Sequence, residues 1–180
     1  MKAHTGLLCV ALGMFGFMED LAAAESIAVG KIKSVELEKR EFVLTDEMGK
    51  DRTVKYDEDT VINRGGRDGQ SDLKVNDTVC TYYETAGLLW RANYVLVQEG
   101  ESKNWSLAHG NVKSYDAEKK ELTYTDDKGR NWTYSSVNVS VFINRTQSKV
   151  ESVKVGERVM ALLQKAGDRT TLKNLYITRK

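Results

Sequence analysis

The chain has 180 residues, of which 41% are hydrophobic and 29% are charged, and it contains no proline. This composition is typical of a globular protein and excludes collagen, proline-rich ligands and a disordered chain. The 27 Lys and Arg residues nearly balance the 26 Asp and Glu residues, so the chain lacks the basic surplus expected of a nucleic-acid binder.

The first residues have the features of a secretory signal. A basic start at Lys2 precedes an apolar run over 7–17 that is too short to span a bilayer, and Ala22–Ala24 supply a small-residue cleavage site. We therefore predict a signal peptide over 1–24 and a periplasmic or secreted mature protein. An uncleaved anchor or a cytoplasmic start is the alternative. No later run is long and apolar enough to predict stable membrane insertion.

The remaining sequence contains an internal repeat. Four segments of the first half return about 80 residues later: Ala28–Ser34 as Ala108–Ser114, Thr45–Lys50 as Thr125–Arg130, Ile62–Arg64 as Ile143–Arg145, and Leu73–Val79 as Val153–Val159. An offset of this length with only two copies predicts a duplicated small domain rather than a solenoid. We place domain 1 at 25–98, a polar linker at 99–105 and domain 2 at 106–180.

Both halves are rich in β-branched and aromatic residues, which favours strands. The predicted strands cover 27–37, 41–45, 52–56, 78–84 and 88–97 in the first half and 107–115, 121–125, 131–135, 158–164 and 171–178 in the second. Five strands with a short turn before the fourth predict an all-β fold of two tandem five-stranded OB-like small barrels. A flat two-sheet arrangement is the alternative. Because a barrel this small buries only about 60% of its unfolded surface, packing of one barrel on the other would help to stabilise both.

Glycines mark the turns and bends of these strands. The Asp46–Gly49 and Asp126–Gly129 segments have the pattern of a hairpin loop, in which Asp caps the turn and Gly takes a positive φ. Gly30 and Gly110 lie inside the first strand of each half, which predicts a bulge or a sharp bend there.

Several of these features occur together in a known pattern. A strand with Gly30, Ile32 and Val35 is followed by the Asp46–Gly49 turn, by Thr60-Val61-Ile62 and by Leu73-Lys74-Val75-Asn76-Asp77-Thr78-Val79. In this order they resemble a family of exported bacterial small-barrel domains of unknown function. The resemblance implies an OB-like fold and an envelope location. It implies no activity, because that family has no known catalytic residues.

The sequence offers few groups for catalysis or metal binding. Cys80 aligns with Met160 on an apolar strand, which favours a buried structural thiol, and His109 is the only histidine after signal cleavage. One cysteine and one histidine without paired spacing predict no metal site, no cofactor and no hydrolase triad, unless Cys80 and His109 meet. The acidic run 57–59 is interpreted as solvated turn charge, and paired acids in a hydrolase are a distant alternative. We predict no catalytic residue and no enzyme activity.

Aromatic residues are the remaining candidates for a site. OB barrels bind oligosaccharides or single strands on aromatic faces, which makes Tyr82, Tyr83 and Trp90 candidates for ligand binding. One of the two neighbouring tyrosines must point outward if the other points in. Trp132 alternates with Tyr134, so we expect it in a core or between the domains.

These observations favour an exported, non-catalytic binding or assembly module of the bacterial cell envelope that acts through its barrel surfaces. The alternative is a periplasmic binder of a small ligand, an oligosaccharide or a metal ion, on an aromatic face or on acidic loops. The expected partner is therefore an envelope protein or a small ligand, and no nucleic acid.

Overall fold

A computed structural model describes residues 24–69 and 72–179, so the predicted signal peptide lies outside the described residues except for Ala24. The first half contains β1 (Ala24–Glu36), β2 (Glu41–Asp46), β3 (Asp51–Lys55), β4 (Val61–Arg64), β5 (Arg67–Gly69), β6 (Thr78–Ala86) and β7 (Leu89–Val97). The second half contains β8 (Trp105–Asp116), β9 (Glu121–Asp126), β10 (Asn131–Ser135), β11 (Ser140–Ile143), β12 (Thr146–Ser148), β13 (Arg158–Ala166) and β14 (Arg169–Ile177). Short 3-10 helices cover Gly100–Asn104 and Val150–Ser152.

The strands form two seven-stranded sheets with the same order. The first sheet runs β3-β2-β1-β6-β7-β4-β5 and the second runs β10-β9-β8-β13-β14-β11-β12. In the first sheet β3 also pairs in parallel with β7, through Val54 with Trp90 and Lys55 with Arg91, which closes the barrel. Among the described residues no ladder joins β10 to β14. The all-β, OB-like barrel fold is thus confirmed, and the domain limits stay a prediction.

Each half contains a short hairpin, β4–β5 or β11–β12, that the sequence analysis did not predict. Its turn is Gly65-Gly66 in the first half and Asn144-Arg145 in the second, and all four residues have positive φ, as a tight two-residue hairpin requires. Counted from this turn, Val141 is the counterpart of Ile62. The predicted match of Ile62 with Ile143 is therefore wrong by two residues, because residues two apart share a face of a strand and an apolar pattern does not distinguish them.

Gly30 and Gly110 allow two strands to approach closely. A Cβ atom built on either would lie 2.2 Å from a carbonyl oxygen of the neighbouring strand, that of Thr45 or Thr125. The predicted bulge is present in both halves, but it follows the glycine by a few residues, between Ile32 and Ser34 in β1 and at the equivalent place in β8. These glycines therefore allow the close approach of the two paired strands, and the bulge produces the bend.

Three apolar clusters hold the molecule together. Each barrel has its own core, and a third cluster joins the two barrels: Cys80, Tyr82, Tyr94, Leu96, Trp105, Leu107, Met160 and Leu162. Cys80 and Met160 occupy equivalent places in β6 and β13, and so do Tyr82 and Leu162. The barrels therefore pack through the same outer face, as the small size of each core would favour. No helix among the described residues is long and apolar enough to cross a membrane.

Candidate functional site

Of the three aromatic residues predicted as ligand contacts, the structure places Tyr82 apart from Tyr83 and Trp90. Tyr82 points out of the first barrel into the cluster between the halves, where it is 7% exposed. Tyr83 and Trp90 lie together at one end of the first barrel, with their rings stacked 3.9 Å apart at an angle of 9°. Ligand contact by any of the three stays a prediction.

Tyr83 and Trp90 fill that end of the first barrel. Trp90 packs against the barrel core and pairs with Val54 of β3. The guanidinium of Arg52 lies over the ring of Trp90, 5.1 Å from the ring centroid. Tyrosine, tryptophan and arginine thus form three layers that connect β6, β7 and β3.

The second barrel has different residues in the same three layers. By strand register Leu163 takes the place of Tyr83, Thr170 that of Trp90, and Trp132 that of Arg52. A cavity of about 370 Å³ lies at this end of the barrel. Its walls include Ala108, Tyr124, Trp132, Tyr134, Leu163 and Thr170. The second barrel, which has Thr170 at the place of Trp90, is therefore the one with an open end.

Trp132 lies on the wall of this cavity with 39% of its surface exposed, so the expected core or interdomain position is wrong. Its Nε1–H donates to Asp126 Oδ2 at 2.9 Å, and the Arg130 guanidinium lies 5.2 Å from the ring centroid. The hydrogen bond from Trp132, followed by those from Arg130, holds the pKa of Asp126 below its usual range. Alternation along β10 places Trp132 correctly on the face of Tyr134, but at the open end, where the barrel wall is incomplete.

A second concave surface, the interdomain groove, lies between the barrels and has a volume of about 850 Å³. Its floor is aromatic and includes Tyr82, Tyr94, Phe142 and Tyr176. Phe142 stacks on Tyr176 at 5.2 Å and 12°, and Tyr94 meets Tyr176 at 5.1 Å and 57°. The hydroxyls of Tyr94 and Tyr176, one from each half, both donate to the carboxylate of Asp68. Burial raises the pKa of both hydroxyls, so they stay protonated donors at neutral pH.

The four arginines that line the interdomain groove are paired with carboxylates. The nitrogen–oxygen distances are 2.6 Å for Arg91–Asp57, 2.5 Å for Arg145–Asp59, 2.7 Å for Arg158–Glu25 and 2.5 Å for Arg179–Glu157. Two of these pairs, Arg145–Asp59 and Arg158–Glu25, connect the two halves. The groove therefore offers hydrogen-bond donors and acceptors side by side with little unbalanced charge. The side chain of Asn93 lines it without a hydrogen bond to any other described residue.

His109 belongs to a polar network at the edge of the interface between the barrels. Its Nδ1 lies 2.5 Å from Arg158 Nη2 and 3.1 Å from Asp127 Oδ2, and its ring meets Tyr82 at 5.7 Å. Burial, the largest effect, lowers the pKa of His109 despite the neighbouring carboxylates. The neutral imidazole can accept the Arg158 hydrogen bond at Nδ1.

The remaining predicted groups serve the fold. Cys80 is 2% exposed, as predicted for a buried thiol, and burial raises its pKa to about 11. Asp46 caps its hairpin by accepting hydrogen bonds from the backbone of Met48 and Lys50. In the part of the chain that the structure describes, no group of three His, Cys, Asp or Glu side chains could hold a metal ion.

No family model and no curated protein matches the chain. Similar solved structures include Ag(I)CusF, with 16% identity and a TM-score of 0.34 over 41% of this chain and 97% of that chain. Apo-CusF from Escherichia coli gives 16% identity and a TM-score of 0.36 over 46% and 98%. A Cu(II) form of an Escherichia coli CusF variant gives 16% and 0.34 over 42% and 92%. Each match spans less than half of this chain, and similarity of this degree carries no information about its ligand.

Proposed function

We propose that the protein is an exported, non-catalytic binding module of the bacterial cell envelope that holds a neutral oligosaccharide in the interdomain groove. The observation that carries this proposal is the groove itself, with its aromatic floor and its paired charges. Its volume of about 850 Å³ lies within the usual range for ligand sites. Export is proposed on the basic start, the apolar run over 7–17 and the small residues before the first strand.

The floor of the groove suits the apolar face of a sugar ring. Phe142 and Tyr176 are half-buried, and their rings stack in nearly parallel planes. The Phe142 ring has no polar atom and the Tyr176 hydroxyl is already paired with Asp68, so an apolar ring face of this stack can contact a ligand. Aromatic rings supply a large apolar contact area at a small cost in side-chain entropy. A pyranose ring that lies on them would keep its hydroxyls directed toward the walls.

The walls suit hydroxyl groups rather than a strong charge. Each lining arginine already has a carboxylate partner, so an anionic ligand would have to compete with an existing ion pair. A hydroxyl group can donate to the carboxylate and accept from the guanidinium without breaking the pair. The amide of Asn93, which has no hydrogen bond to another described residue, adds a donor and an acceptor.

The experiment is calorimetric titration of the full-length chain with neutral trisaccharides of glucose and of N-acetylglucosamine and with a sulfated trisaccharide. We expect a neutral trisaccharide to bind and the sulfated one to bind less well. Phe142→Ala should weaken binding by about 2- to 13-fold, since an aromatic contact contributes about 0.5–1.5 kcal/mol. Trp132→Ala, outside the groove, is the matched control and should leave binding unchanged.

Thermal unfolding supplies an independent measure of the same equilibrium. A saccharide that binds only the folded protein should add about 2.7 kcal/mol to its stability at 100 times its Kd. The proposal is overturned if no neutral saccharide binds, or if Phe142→Ala and Trp132→Ala weaken binding equally. Cross-linking of the protein to an envelope protein in the absence of saccharide binding would favour the assembly role instead.

A further inference from the structure

The two barrel ends offer an internal comparison that points to a second binding site. In the first barrel, the indole of Trp90 lies between the ring of Tyr83 and the guanidinium of Arg52. In the second barrel the same layer belongs to Thr170, whose side chain is too small to fill it. The indole of Trp90 in the first barrel therefore shows that a planar ring fits at this level of the barrel.

We propose that the cavity of about 370 Å³ at the end of the second barrel binds a small molecule with a planar aromatic ring of about indole size. The ring would take the layer that Trp90 fills in the first barrel and would pack against Trp132. No residue of this cavity lines the interdomain groove, although His109 and Asp127 of the cavity contact Arg158 of the groove.

Trp132 is the principal contact of the proposed site. It is 39% exposed and its orientation is fixed, because Asp126 accepts its Nε1–H at 2.9 Å. Arg130 lies 5.2 Å from the same ring, so a planar cation is present beside the cavity as it is in the first barrel. A large exposed aromatic side chain held by a hydrogen bond loses little entropy when a second ring packs on it.

The base of the cavity is aromatic and preformed. Tyr124 is 1% exposed and stacks on Tyr134 with centroids 6.1 Å apart and an angle of 17°. Burial raises the pKa of Tyr124 and of Tyr134, so both phenols are neutral at physiological pH. Leu163 adds an aliphatic side chain to the lining. The lining also includes His109 and four charged side chains, Asp126, Asp127, Lys128 and Arg130. The aromatic and aliphatic residues are the surfaces on which a planar ring would pack.

The open end also has a structural cause. In the first barrel the β3–β7 ladder closes the sheet beside Trp90. In the described residues of the second barrel β10 and β14 form no such ladder, so the side chains between them line a mouth. Thr170 shares the inward face of β14 with the buried Leu172, whereas Thr171 points to the other face.

The test is calorimetric titration of the full-length protein with indole, together with cyclohexanol as a ring without π electrons. We expect saturable indole binding that is weakened about 2- to 13-fold by Trp132→Ala and that is stronger than binding of cyclohexanol. Thr170→Trp should remove indole binding, because its own side chain would fill the layer. Thr171→Trp, one residue away on the opposite face, is the matched control and should bind indole like the wild type.

Far-ultraviolet circular dichroism of each variant establishes that it is folded. If Thr170→Trp fails to fold, the comparison of Trp132→Ala with the wild type decides the question, because Trp132 lies at the surface. The proposal is overturned if indole does not bind, if Trp132→Ala binds it as tightly as the wild type, or if a folded Thr170→Trp protein does. Binding of cyclohexanol as tight as that of indole would also overturn it, since the cavity would then select no aromatic ring.

Discussion

The two barrels share their strand order but differ at one end. In the first, β3 pairs with β7 and the stacked rings of Tyr83 and Trp90 fill the space beside this ladder. In the second, Leu163 and Thr170 stand at the same places, and a cavity bounded by Trp132 remains. Two halves with the same strand order can thus differ in this way, one with a filled, closed end and the other with an accessible aromatic surface.

In two halves with the same strand order, candidate site residues lie where the halves differ. Gly30 and Gly110, or Asp46 and Asp126, match because both halves need the same close approach of two strands and the same turn. The place occupied by Trp90 in one half and Thr170 in the other is not needed for a turn or for a close approach of strands. A different side chain there changes the surface without changing the strand order.

The largest predicted difference between the two barrel ends is in the loss of stability when a side chain is removed at the place of Trp90 or of Thr170. Trp90→Ala removes a ring packed between Tyr83 and Arg52 and should lower the free energy of unfolding by about 2–4 kcal/mol, since the ring is half-buried. Thr170→Ala at the equivalent place should change it by less than about 0.5 kcal/mol. Urea denaturation of both variants measures the two values. Equal losses would show that the second end is as tightly packed as the first.

A second pair of variants should behave alike in the two barrels. Gly30→Ala and Gly110→Ala each place a methyl group against a carbonyl oxygen of the neighbouring strand. We expect each to lower the free energy of unfolding by about 1–3 kcal/mol. Thermal or urea unfolding provides the measurement. A loss of stability in only one of the two variants would contradict the equivalence of the two close strand contacts.

Substitutions in the turns before β6 and β13 should have smaller effects on the free energy of unfolding. Here the larger loss is expected in the second barrel. Asn76 and Gly156 both have positive φ, 73° and 87°, and glycine adopts this region without a steric cost. Asn76→Gly should therefore be close to neutral, whereas Gly156→Ala should cost about 1–2 kcal/mol. Differential scanning calorimetry of the two variants would detect this asymmetry. A stabilised Gly156→Ala protein would contradict the assigned turn conformation.

The smallest difference is in pH dependence, because His109 stands where the first barrel has Val29. Burial lowers the pKa of His109 below its ordinary value of 6.5, although Asp127, Glu25 and Asp126 oppose this shift and Arg158 adds to it. The unfolded chain thus binds the proton more readily, so this contribution to stability is complete above pH 6.5 and declines as the pH falls toward the folded-state pKa.

His109→Val tests this contribution directly, since it places the residue of the first barrel in the second. Urea unfolding between pH 8 and 5 should show stability falling in the wild type and a flatter profile in the variant. The Asp and Glu side chains mostly titrate below this range. An unchanged slope in the variant would show that His109 is not the group responsible.

Much of the fold could be predicted from the sequence. Periodicity and turn residues such as Asp46 and Gly49 indicated ten of the strands and the OB-like arrangement. The hairpins at Gly65-Gly66 and Asn144-Arg145 were not predicted, because strands of three or four residues carry too little alternation. The one-letter pattern also could not distinguish Val141 from Ile143 as the partner of Ile62.

The candidate sites were predicted less well. Alternation showed that Tyr82 and Tyr83 face opposite sides, but not that Tyr83 stacks on Trp90, since this contact depends on the pairing of β6 with β7. Comparison of the two halves at Trp90 and Thr170 was the available signal for the open end. The interdomain groove could not be predicted, because it depends on how the equivalent outer faces of the barrels meet.

The most direct measurement uses the three tryptophans of the chain as reporters. In a two-dimensional ¹⁵N–¹H NMR spectrum of the full-length protein, each of Trp90, Trp105 and Trp132 gives one indole N–H signal, assigned by single substitution. During titration with indole, the signal of Trp132 should shift progressively while those of Trp90 and Trp105 stay in place. A shift of the Trp90 signal as large as that of Trp132, or no shift of any of the three, would contradict the claim that one barrel end is filled and the other is open.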